Sequence, residues 1–459
     1  MKDYKSIADK IFLSYDIRGI YPEVLDEETA ERIGLSFGTI IGANKTVCIG
    51  QDVRNTSEKI IHSFINGILK TGCNVLQIDI LPNPFTYFYT WKNNLDAGCY
   101  VTASHNPPEY TGFKFIRKTG VSFIDELDKL KKIFIEGNFI SGKGNLEKRS
   151  DAYLQYVNFW KDKIKIDRKI KIVTDSLYAS ASTVIPKIFE EFGIECTAIK
   201  NEPKGDLNGE RPEPDTRNTA ELSERIKKEK ADFGAAYDGD ADRSMFIDNL
   251  GIAHYGGEIL TLFAKGYAGL NDKVVVTIDC PSEVAIEIKK TGAEVLWAKI
   301  GHGFIEEEVF QKKAVFGGEQ SSHFYPGKFY VFSDGIANTL LLADFLSKQE
   351  KKMSELLSEL KISSTEKIYI SAGTHEIKNK VMEKLKKKLS LKYPNNNTMD
   401  GIKIYLNDIE WVLIRVSNNA PELNLCIEGK NKERISELMD NFSAIIKEEV
   451  LNEKNISSV

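Results

Sequence analysis

The stretch KVVVTID, residues 273–279, has the features of a buried strand that ends at a carboxylate. A near-continuous run of β-branched residues is typical of a parallel strand covered on both faces. A helical stretch follows, and then a second strand-like segment, GAEVL, at residues 292–296. Its first residue, Gly292, stands where a helix C-terminus needs a left-handed residue before the chain turns. The segment therefore predicts a β-α-β unit with Asp279 at the carboxyl end of its first strand.

The same unit occurs twice more upstream. KTVCIGQD (residues 45–52) leads to GCNVL (72–76), and KIKIVTD (169–175) leads to GIECT (193–197). The copies lie roughly 100 residues apart, which favours three related α/β domains. Open α/β sheets place their crevices at the carboxyl ends of strands, where each copy has its aspartate. Any β-α-β unit shares part of this pattern, so three unrelated domains are the alternative.

The chain of 459 residues exceeds what a single core serves, and its size predicts roughly three or four domains. After the third unit the pattern changes to helix, three strands and helix, which predicts a separate small α+β domain. The helix is expected at 376–392 and the strands at 402–405, 411–415 and 423–427, before a long C-terminal helix. The predicted domain limits are 1–150, 151–253 and 254–366 for the α/β domains and 367–459 for the α+β domain.

Composition narrows the class of protein. Apolar residues at 42% and charged residues at 28% are ordinary for a globular chain, and the net charge of −5 favours no nucleic-acid partner. The six cysteines are scattered without a CxxC pair, which predicts reduced thiols and neither a zinc site nor a disulfide framework. No apolar run has the length of a membrane span or the features of a signal peptide. We therefore expect a cytoplasmic protein with no membrane partner.

A candidate nucleophile lies in TASHNP, residues 102–107. Ser104 comes just past a strand-like segment, in a loop stiffened by Asn106 and Pro107. His105 is adjacent, and Lys114 follows in a predicted Gly112-Phe113-Lys114 turn, so an imidazole and a cation accompany the hydroxyl. A phosphoserine carries about −1.5 to −2 charges and needs such partners. A serine that only caps a turn or a helix is the alternative.

A candidate metal site lies in DGDADR, residues 238–243, which places aspartates at alternate positions: Asp238, Asp240 and Asp242. In an extended loop such positions point the same way, so the carboxylates are predicted to converge. Carboxylates ~4 Å apart repel by about 4 kcal/mol per pair at an effective dielectric near 20, so a cation is expected among them. Oxygen-only ligands indicate Mg²⁺. A calcium EF-hand is excluded because its required glycine and glutamate fall on Arg243 and Asn249. A solvated acidic turn is the alternative.

Further segments offer groups for a sugar phosphate. GGEQSSH, residues 317–323, has Glu and Ser at alternate positions that can hold neighbouring hydroxyls. RVSNN, residues 415–419, combines an arginine fork with small donors, as a phosphate cradle does. A glycine turn and a hairpin turn are the respective alternatives. YDIRG (15–19) and KIGH (299–302) add an arginine, a lysine and a histidine.

Together these segments resemble the α-D-phosphohexomutase superfamily, and most of all its phosphomannomutase/phosphoglucomutase branch. YDIRG, TASHNPPEYTGFK, DGDADR, KIGH, GEQSSH and RVSNNAPEL occur in the family's order over nearly the whole chain. The resemblance implies three similar α/β domains with mixed sheets around a deep cleft and a fourth, TATA-binding-protein-like α+β domain. The chain departs from the family's usual residues at Thr111, Ser322 and Asn419, where Asn, Gly and Thr are common, and at residues 175–178, where the family's Asp-x-x-Asn-Gly turn is missing.

The resemblance also implies roles. Ser104 would carry the phosphoryl group and share one Mg²⁺ with Asp238, Asp240 and Asp242. The reacting phosphoryl group would be surrounded by Arg18, His105, Lys114 and Arg243, while proton transfer or substrate orientation would be assisted by Lys299, His302 and His323. The sugar 3- and 4-hydroxyls would be held by Glu319 and Ser321. The second phosphate would be held by Arg415, Ser417, Asn418 and Asn419.

The implied reaction interconverts hexose 1-phosphate and hexose 6-phosphate, with mannose and/or glucose as the sugar. It passes through the phosphoserine and a bound hexose 1,6-bisphosphate, in a monomer or homodimer. Three rivals stay open: a phosphoglucosamine mutase, a metal-dependent phosphatase with a serine nucleophile, and a non-catalytic sugar-phosphate-binding protein.

Overall fold

The structure is a computed structural model and describes residues 2–363, 365–417 and 420–457. The first sheet is built from six strands: β1 (Ile17–Ile20), β2 (Thr46–Gln51), β3 (Asn74–Ile78), β4 (Ala97–Val101), β5 (Tyr110–Arg117) and β6 (Leu146–Arg149). Five helices accompany it: α1 (Tyr4–Ile11), α2 (Glu27–Ile41), α3 (Asn55–Leu69), α4 (Asn83–Lys92) and α5 (Asp125–Glu136). The order in the sheet is β1-β5-β4-β2-β3-β6, with β5 antiparallel to both of its neighbours.

The second sheet has the order β11-β10-β9-β7-β8. Its strands are β7 (Lys171–Asp175), β8 (Glu195–Ile199), β9 (Phe233–Tyr237), β10 (Ser244–Asp248) and β11 (Ala253–His254). The helices of this part are α6 (Ala152–Lys161), α7 (Lys187–Glu190) and α8 (Ala220–Glu229), with short 3-10 helices at Ser180–Thr183 and Leu207–Gly209.

The third sheet has the order β13-β12-β14-β15. Its strands are β12 (Lys273–Thr277), β13 (Glu294–Ala298), β14 (Phe316–Gly318) and β15 (Phe324–Tyr325). Its helices are α9 (Gly256–Tyr267), α10 (Ser282–Lys289), α11 (His302–Lys312), α12 (Gly335–Ser347) and α13 (Met353–Ser358).

The predicted repeat is confirmed, because the three sheets share one arrangement. A central strand (β2, β7 or β12) has a parallel neighbour on each side and an antiparallel strand beyond one of them. Gly72, Gly193 and Gly292 have φ of 84°, 70° and 88° before the second strand, as predicted. In each sheet the strands on the two sides of the central strand are reached by connections that run in opposite directions, which makes the carboxyl end of the central strand the place where open α/β sheets bind ligands.

The fourth sheet is antiparallel, as expected for the α+β domain, but it has five strands where the sequence predicted three. Its order is β16-β20-β19-β18-β17, and α14 (His375–Lys392) and α15 (Lys432–Ser457) accompany it. The strands are β16 (Thr365–Ser371), β17 (Asn396–Asn397), β18 (Ile402–Tyr405), β19 (Trp411–Val416) and β20 (Glu422–Glu428). The edge strands β16 and β17 were missed because one is largely exposed and the other has two polar residues.

Two predicted domain limits fall inside strands. The limit after residue 253 divides β11, and the limit after residue 366 divides β16. The second sheet therefore extends one residue beyond its predicted end at 253, and the fourth sheet begins two residues before its predicted start at 367. The domain limits otherwise stay predictions.

The first three sheets are joined by shared packing, whereas the fourth has its own core. Helix α12 is buried along its whole length and contacts elements of the second sheet, where the hydroxyls of Tyr237 and Thr339 lie 2.7 Å apart. The fourth domain meets the third through a small cluster made of Ile278, Trp411, Leu413 and Cys426. Within the described residues, no helix combines the length and apolar character needed to cross a bilayer.

Candidate active site

Ser104 is buried in the loop between β4 and β5, with its backbone in the left-handed region at φ 51°. A residue with a side chain adopts this conformation at an energetic cost, so its neighbours must hold it there. The backbone N–H of Ser104 donates to Thr102 Oγ1 at 2.8 Å, and that hydroxyl donates to Asp52 Oδ2 at 2.7 Å. The aspartate at the first switch point therefore fixes the serine loop.

Arg54 holds the same loop and was missed in the sequence. Its buried guanidinium donates to the carbonyl oxygens of Ser104, Asn106 and Pro107, each at 2.6 Å. Its Nε lies 3.2 Å from Asp52 Oδ2. An arginine two residues after a strand-ending aspartate was the available signal, but the loop that it holds is 50 residues away.

The three aspartates of the DGDADR segment are buried, and one oxygen from each lies within 4.8 Å of the others. Their convergence was predicted, but the extended loop was wrong. Ala241 has φ 60°, and its N–H donates to the carbonyl of Asp238 at 3.0 Å. The carboxylates are therefore brought together by a tight turn, and not by the alternate pointing of side chains that an extended loop would give.

The serine loop and the acidic turn are in direct contact. Ser104 Oγ donates to Asp238 Oδ2 at 2.9 Å. A Cβ on Gly239 would lie 2.1 Å from the carbonyl oxygen of Ser104, so glycine is required where the two loops meet. The candidate nucleophile and the candidate metal ligands therefore form one site.

Lys114 joins this site from β5, which corrects the predicted turn at residues 112–114. Gly112 lies in the strand, where a Cβ would be 2.1 Å from the carbonyl oxygen of Ile17 on β1, so the glycine serves a close strand approach. The ammonium of Lys114 lies 2.7 Å from Asp240 Oδ2 and 2.6 Å from Asp242 Oδ2. Burial disfavours this charge, but the two carboxylates raise the pKa of Lys114 above its ordinary value.

The acidic turn fits a divalent cation. Burial, together with the neighbouring charges of Asp242 and Asp240, raises the pKa of Asp238 well above its ordinary value. Neither oxygen of Asp240 has an aligned hydrogen bond to a described residue, although Lys114 forms an ion pair with one of them. Three convergent carboxylates supply hard oxygen ligands, which suit Mg²⁺, and the two buried oxygens of Asp240 are open to such an ion.

His105 and Arg243 flank the serine hydroxyl. His105 Nδ1 lies 3.3 Å from Ser104 Oγ and 3.0 Å from Arg243 Nη2. Burial and the charges of Arg243 and Arg18 hold the pKa of His105 well below its ordinary value, which favours the neutral ring. Arg243 Nη1 donates to Glu213 Oε1 at 2.7 Å, a partner missed because it lies in a polar segment without a regular pattern.

Arg18 supports the serine loop from β1. Its Nη1 donates to the carbonyl of Ala103 at 3.0 Å and to Asn106 Oδ1 at 2.5 Å. Its Nη2 lies 2.7 Å from Asp16 Oδ2. The predicted arginine is therefore in the site and is held by its own ion pair.

The GEQSSH segment contacts the acidic turn through His323. The ring of His323 lies between Asp242 Oδ1 and Glu319 Oε1, each at 3.2 Å. Burial opposes its charge, but Asp242 and Glu319 raise the pKa of His323 to about 9. Ser321 Oγ donates to Glu319 Oε2 at 3.3 Å, and Ser322 has φ 67°, the conformation that favours the glycine usual there. The predicted sugar-binding pair is thus beside the candidate metal site.

The two candidate residues of the KIGH segment, His302 and Lys299, lie in different surroundings. His302 is buried against the ring of Tyr15, with centroids 4.3 Å apart, and its Nε2 has no hydrogen-bond partner among the described residues. Lys299 is exposed, and its ammonium lies 5.6 Å from the centre of the Phe304 ring. No described contact joins Lys299 to Ser104 or the three aspartates.

The fourth domain contributes Arg415, whose Nε donates to Asp400 Oδ2 at 2.9 Å. The same oxygen accepts from the N–H of Ile300 at 3.0 Å, which links the predicted phosphate-binding segment to KIGH. The carbonyl of Ser417 accepts from Lys378 Nζ at 2.8 Å, a buried lysine of α14 that the sequence did not single out. Asn418 and Asn419 lie outside the described residues.

Family models match the first three domains, and known relatives match nearly the whole chain. Family models described as "Phosphoglucomutase/phosphomannomutase, alpha/beta/alpha domain" I, II and III match residues 9–140, 151–251 and 255–362. A "Phosphoglucomutase/phosphomannomutase" of Thermococcus kodakarensis is 31% identical over 448 residues, covering 94% of this chain and 97% of the relative. A "Probable phosphoglucosamine mutase" of Pyrococcus furiosus is 32% identical, covering 96% of this chain and 98% of the relative.

Solved structures resemble this fold over nearly the whole chain. A phosphoglucomutase/phosphomannomutase family protein from Burkholderia thailandensis matches with a TM-score of 0.87 and 25% identity, covering 98% of each chain. A putative phosphomannomutase from Thermus thermophilus matches with a TM-score of 0.80 and 21% identity, covering 95% of this chain and 99% of the other. The second likeness concerns the fold alone.

Proposed function

Because the chain belongs to the phosphoglucomutase/phosphomannomutase family of the α-D-phosphohexomutase superfamily, we propose that it interconverts hexose 1-phosphate and hexose 6-phosphate. Mannose and/or glucose are the proposed sugars. One observation carries the proposal: Ser104 Oγ lies 2.9 Å from Asp238 Oδ2, at the edge of three buried carboxylates. A hydroxyl that can carry phosphate and a cation site that can neutralise it are what phosphoryl transfer needs.

The proposed reaction has two transfers. In the first, the bond between the phosphorus and Ser104 Oγ breaks while a bond to the free sugar hydroxyl oxygen forms, the sugar hydroxyl loses its proton, and Ser104 Oγ gains one. The resulting hexose 1,6-bisphosphate turns round in the cleft. In the second, the bond between the other phosphoryl group and its sugar oxygen breaks while a bond to Ser104 Oγ forms; the Ser104 hydroxyl loses its proton, and the sugar oxygen gains one.

The residues of the chain have distinct proposed tasks. Arg18, Lys114 and Arg243 stabilise negative charge on the transferring group. Neutral His105, next to Ser104 Oγ, is able to accept a proton or to hydrogen-bond the phosphoryl group. Asp238, Asp240 and Asp242, with a phosphoserine oxygen, would hold one Mg²⁺, which supplies charge neutralisation.

The sugar end has its own proposed residues. Glu319 and Ser321 hold two sugar hydroxyls, while His323, with His302 beside it, helps to orient the ring. Arg415 and Ser417, with Asn418 and Asn419, hold the phosphate that is not reacting. Lys299, which is exposed, is proposed only to attract the anionic substrate.

Phosphoglucosamine mutase is the second candidate. The relatives from Pyrococcus furiosus and Methanosphaera stadtmanae carry the name "Probable phosphoglucosamine mutase", the latter at 31% identity over 95% of this chain and 97% of the relative. Mutase assays on glucose, mannose and glucosamine phosphates, run side by side, decide between the sugars.

The nucleophile is tested by intact mass spectrometry and mutase assays on the wild type and Ser104→Ala. We expect the wild type to carry one removable phosphoryl group, and the variant to lose that group and nearly all turnover. Ser36→Ala is the matched control, because it removes a buried serine hydroxyl that, among the described residues, donates a hydrogen bond to the Arg32 carbonyl at 2.8 Å. Full activity in Ser104→Ala would refute the nucleophile. Release of inorganic phosphate in place of isomer would indicate a phosphatase, and ligand binding without turnover a sensor.

A further inference from the structure

Lys378 is a buried lysine in the first turn of α14, beside the predicted phosphate-binding segment. Its residue is 5% exposed, and its ammonium donates to the carbonyl oxygens of Ser417 and Ala420 at 2.8 Å and 3.1 Å. The same nitrogen lies 3.0 Å from His375 Nδ1. Lysine is rarely buried, because its ammonium loses contact with water, so a lysine held by three acceptors indicates a role beyond packing.

The two carbonyls belong to the loop that joins β19 to β20. The N–H of Ser417 donates to the carbonyl of Glu422 at 2.8 Å, and the N–H of Glu422 donates to the carbonyl of Ala420 at 2.8 Å. Lys378 reaches this loop from a helix that lies 39 positions before Ser417 in the chain. One side chain thus ties two points of the loop to α14.

The direction of these carbonyls matters for binding an anion. A carbonyl oxygen that faced a phosphate would repel it, whereas N–H groups and cationic side chains attract it. The ammonium of Lys378 engages the oxygens of both Ser417 and Ala420. It therefore keeps them from turning toward a bound anion.

Lys378 also adds positive charge to this end of the cleft. Ser417, whose carbonyl it binds, follows Arg415 by two residues, so the two cations are neighbours. Among the residues the structure describes, Arg415 pairs with Asp400 at 2.9 Å, whereas Lys378 has no carboxylate at ion-pair distance. Burial and the charge of Arg415 lower the pKa of Lys378, while Glu422 opposes this fall. A bound anion would supply the opposite charge that Lys378 lacks.

We propose that Lys378 is a positioning residue for the phosphate that is not reacting: its ammonium holds the backbone at Ser417 and Ala420, so that Ser417 stays correctly placed relative to Arg415. The inference rests on the proposed function, in which Arg415 and Ser417 hold that phosphate. Lys378 acts through the loop, because its own donors are directed at the two carbonyls and His375.

A loosened phosphate site has a particular kinetic signature. The phosphate that is not reacting is bound in the ground state and in the transition state alike, so weaker binding there raises KM and leaves kcat nearly unchanged. In the proposed reaction, each hexose phosphate places its phosphate at this site when it first binds. Both KM values should therefore rise.

The test measures KM and kcat for glucose 1-phosphate and glucose 6-phosphate in the wild type and in Lys378→Met, with glucose 1,6-bisphosphate added as primer. We expect Lys378→Met to raise both KM values by about tenfold or more and to keep kcat within about threefold of the wild type. Lys380→Met is the matched control, because it removes the same charge from the same helix. The ammonium of Lys380 pairs with Glu376 at 2.7 Å, and this variant should keep the KM values of the wild type.

Lys378→Arg separates geometry from charge, and it decides the matter if Lys378→Met does not fold. A guanidinium keeps the charge, but its planar fork cannot direct donors at the same three acceptors. We therefore expect KM in Lys378→Arg to be at least about threefold above that of the wild type. A wild-type KM in this variant would assign any effect of Lys378→Met to charge alone and would overturn the positioning role.

The inference is also overturned by an unchanged KM in Lys378→Met, by a kcat that falls as far as KM rises, or by the same rise in Lys380→Met. If the wild type turns over neither sugar phosphate when primed, the proposed function fails on its own. Calorimetric binding of glucose 6-phosphate then decides the role of Lys378. Weaker binding in Lys378→Met but not in Lys380→Met supports it, and equal or absent binding overturns it.

Discussion

Single residues around Ser104 carry charges that depend on one another. Burial penalises the charges of Asp238 and Asp242, yet Lys114 and His323 hold the pKa of Asp242 well below its ordinary value, while the pKa of Asp238 is raised. The negative charge is therefore concentrated near Lys114 and His323. Asp238, the carboxylate in contact with Ser104, therefore gains from an added cation.

Asp240→Asn tests the metal assignment at this scale. Removing one of three carboxylate ligands should weaken Mg²⁺ binding by about tenfold or more, because a neutral amide is a poorer ligand for a hard cation. The measurement is a Mg²⁺ titration of mutase activity, together with the rise in Tm that the ion produces. Asp248→Asn serves as the control, since that buried carboxylate pairs with His254 at 3.1 Å and lies outside the turn. An unchanged titration in Asp240→Asn would exclude this ligand set.

Among the elements, the geometry of the candidate site depends on the junction between the serine loop and the acidic turn. The serine loop comes from the first sheet and the acidic turn from the second, and Gly239 is where their backbones meet. The repeated β-α-β unit places both loops at carboxyl strand ends. The contact of 2.9 Å between Ser104 and Asp238 depends on how closely the two loops approach.

Gly239→Ala should separate the two loops. A Cβ there would lie 2.1 Å from the Ser104 carbonyl, so backbone must move, and a shift of this kind lowers kcat by on the order of a hundredfold. Gly269→Ala is the control, because only one atom lies within 4 Å of its added Cβ, at 3.9 Å. Comparison of kcat and Tm for the two variants makes the check. Wild-type kcat in Gly239→Ala would show that the loops tolerate separation.

At the scale of the whole molecule, the interface between the third and fourth domains contains buried ionisable groups. Lys403 Nζ donates to the carbonyl of Ile278 at 2.7 Å and lies 3.8 Å from the centre of the Trp411 ring. Burial lowers the pKa of Lys403 to about 8. Glu428 accepts from Ser282 Oγ at 3.0 Å, and burial with the neighbouring Glu283 raises the pKa of Glu428 to about 8.

Glu428→Gln should change how the stability of the protein depends on pH, because Glu428 lies at the interface between the third and fourth domains. A carboxyl whose pKa is higher in the folded state stabilises the fold below its unfolded pKa, and this contribution is lost as pH rises toward about 8. The Tm of the variant relative to wild type should therefore rise between pH 5 and pH 8, by about 2 °C. Glu433→Gln, on the exposed side of α15, is the control and should show a constant difference. A Tm difference for Glu428→Gln that does not rise with pH would contradict the burial of its charge.

The sequence by itself determined the repeat, most of the strands and the segments that meet at the site. Strand patterns and helix-ending glycines depend on neighbouring residues, so the aspartates at strand ends and the family's motifs could be recognised locally. The predictions that failed depended on distant partners: β16 is formed by pairing with β20, and Lys114 lies in a strand because β1 and β4 flank it.

Only the tertiary structure decided what equivalent residues do. Asp52, Asp175 and Asp279 end the same unit, yet Thr102 and Arg54 donate to the first, whereas the second accepts from the N–H of Leu177 and lies 3.4 Å from Lys200. One oxygen each of Asp175 and Asp279 has no hydrogen-bond partner among the described residues. Likewise Ser104 meets Asp238 across 134 positions of chain. Strand and turn preferences act over a few residues, whereas hydrogen bonds and charges act through space, so the packing of the three sheets decides which of these groups meet.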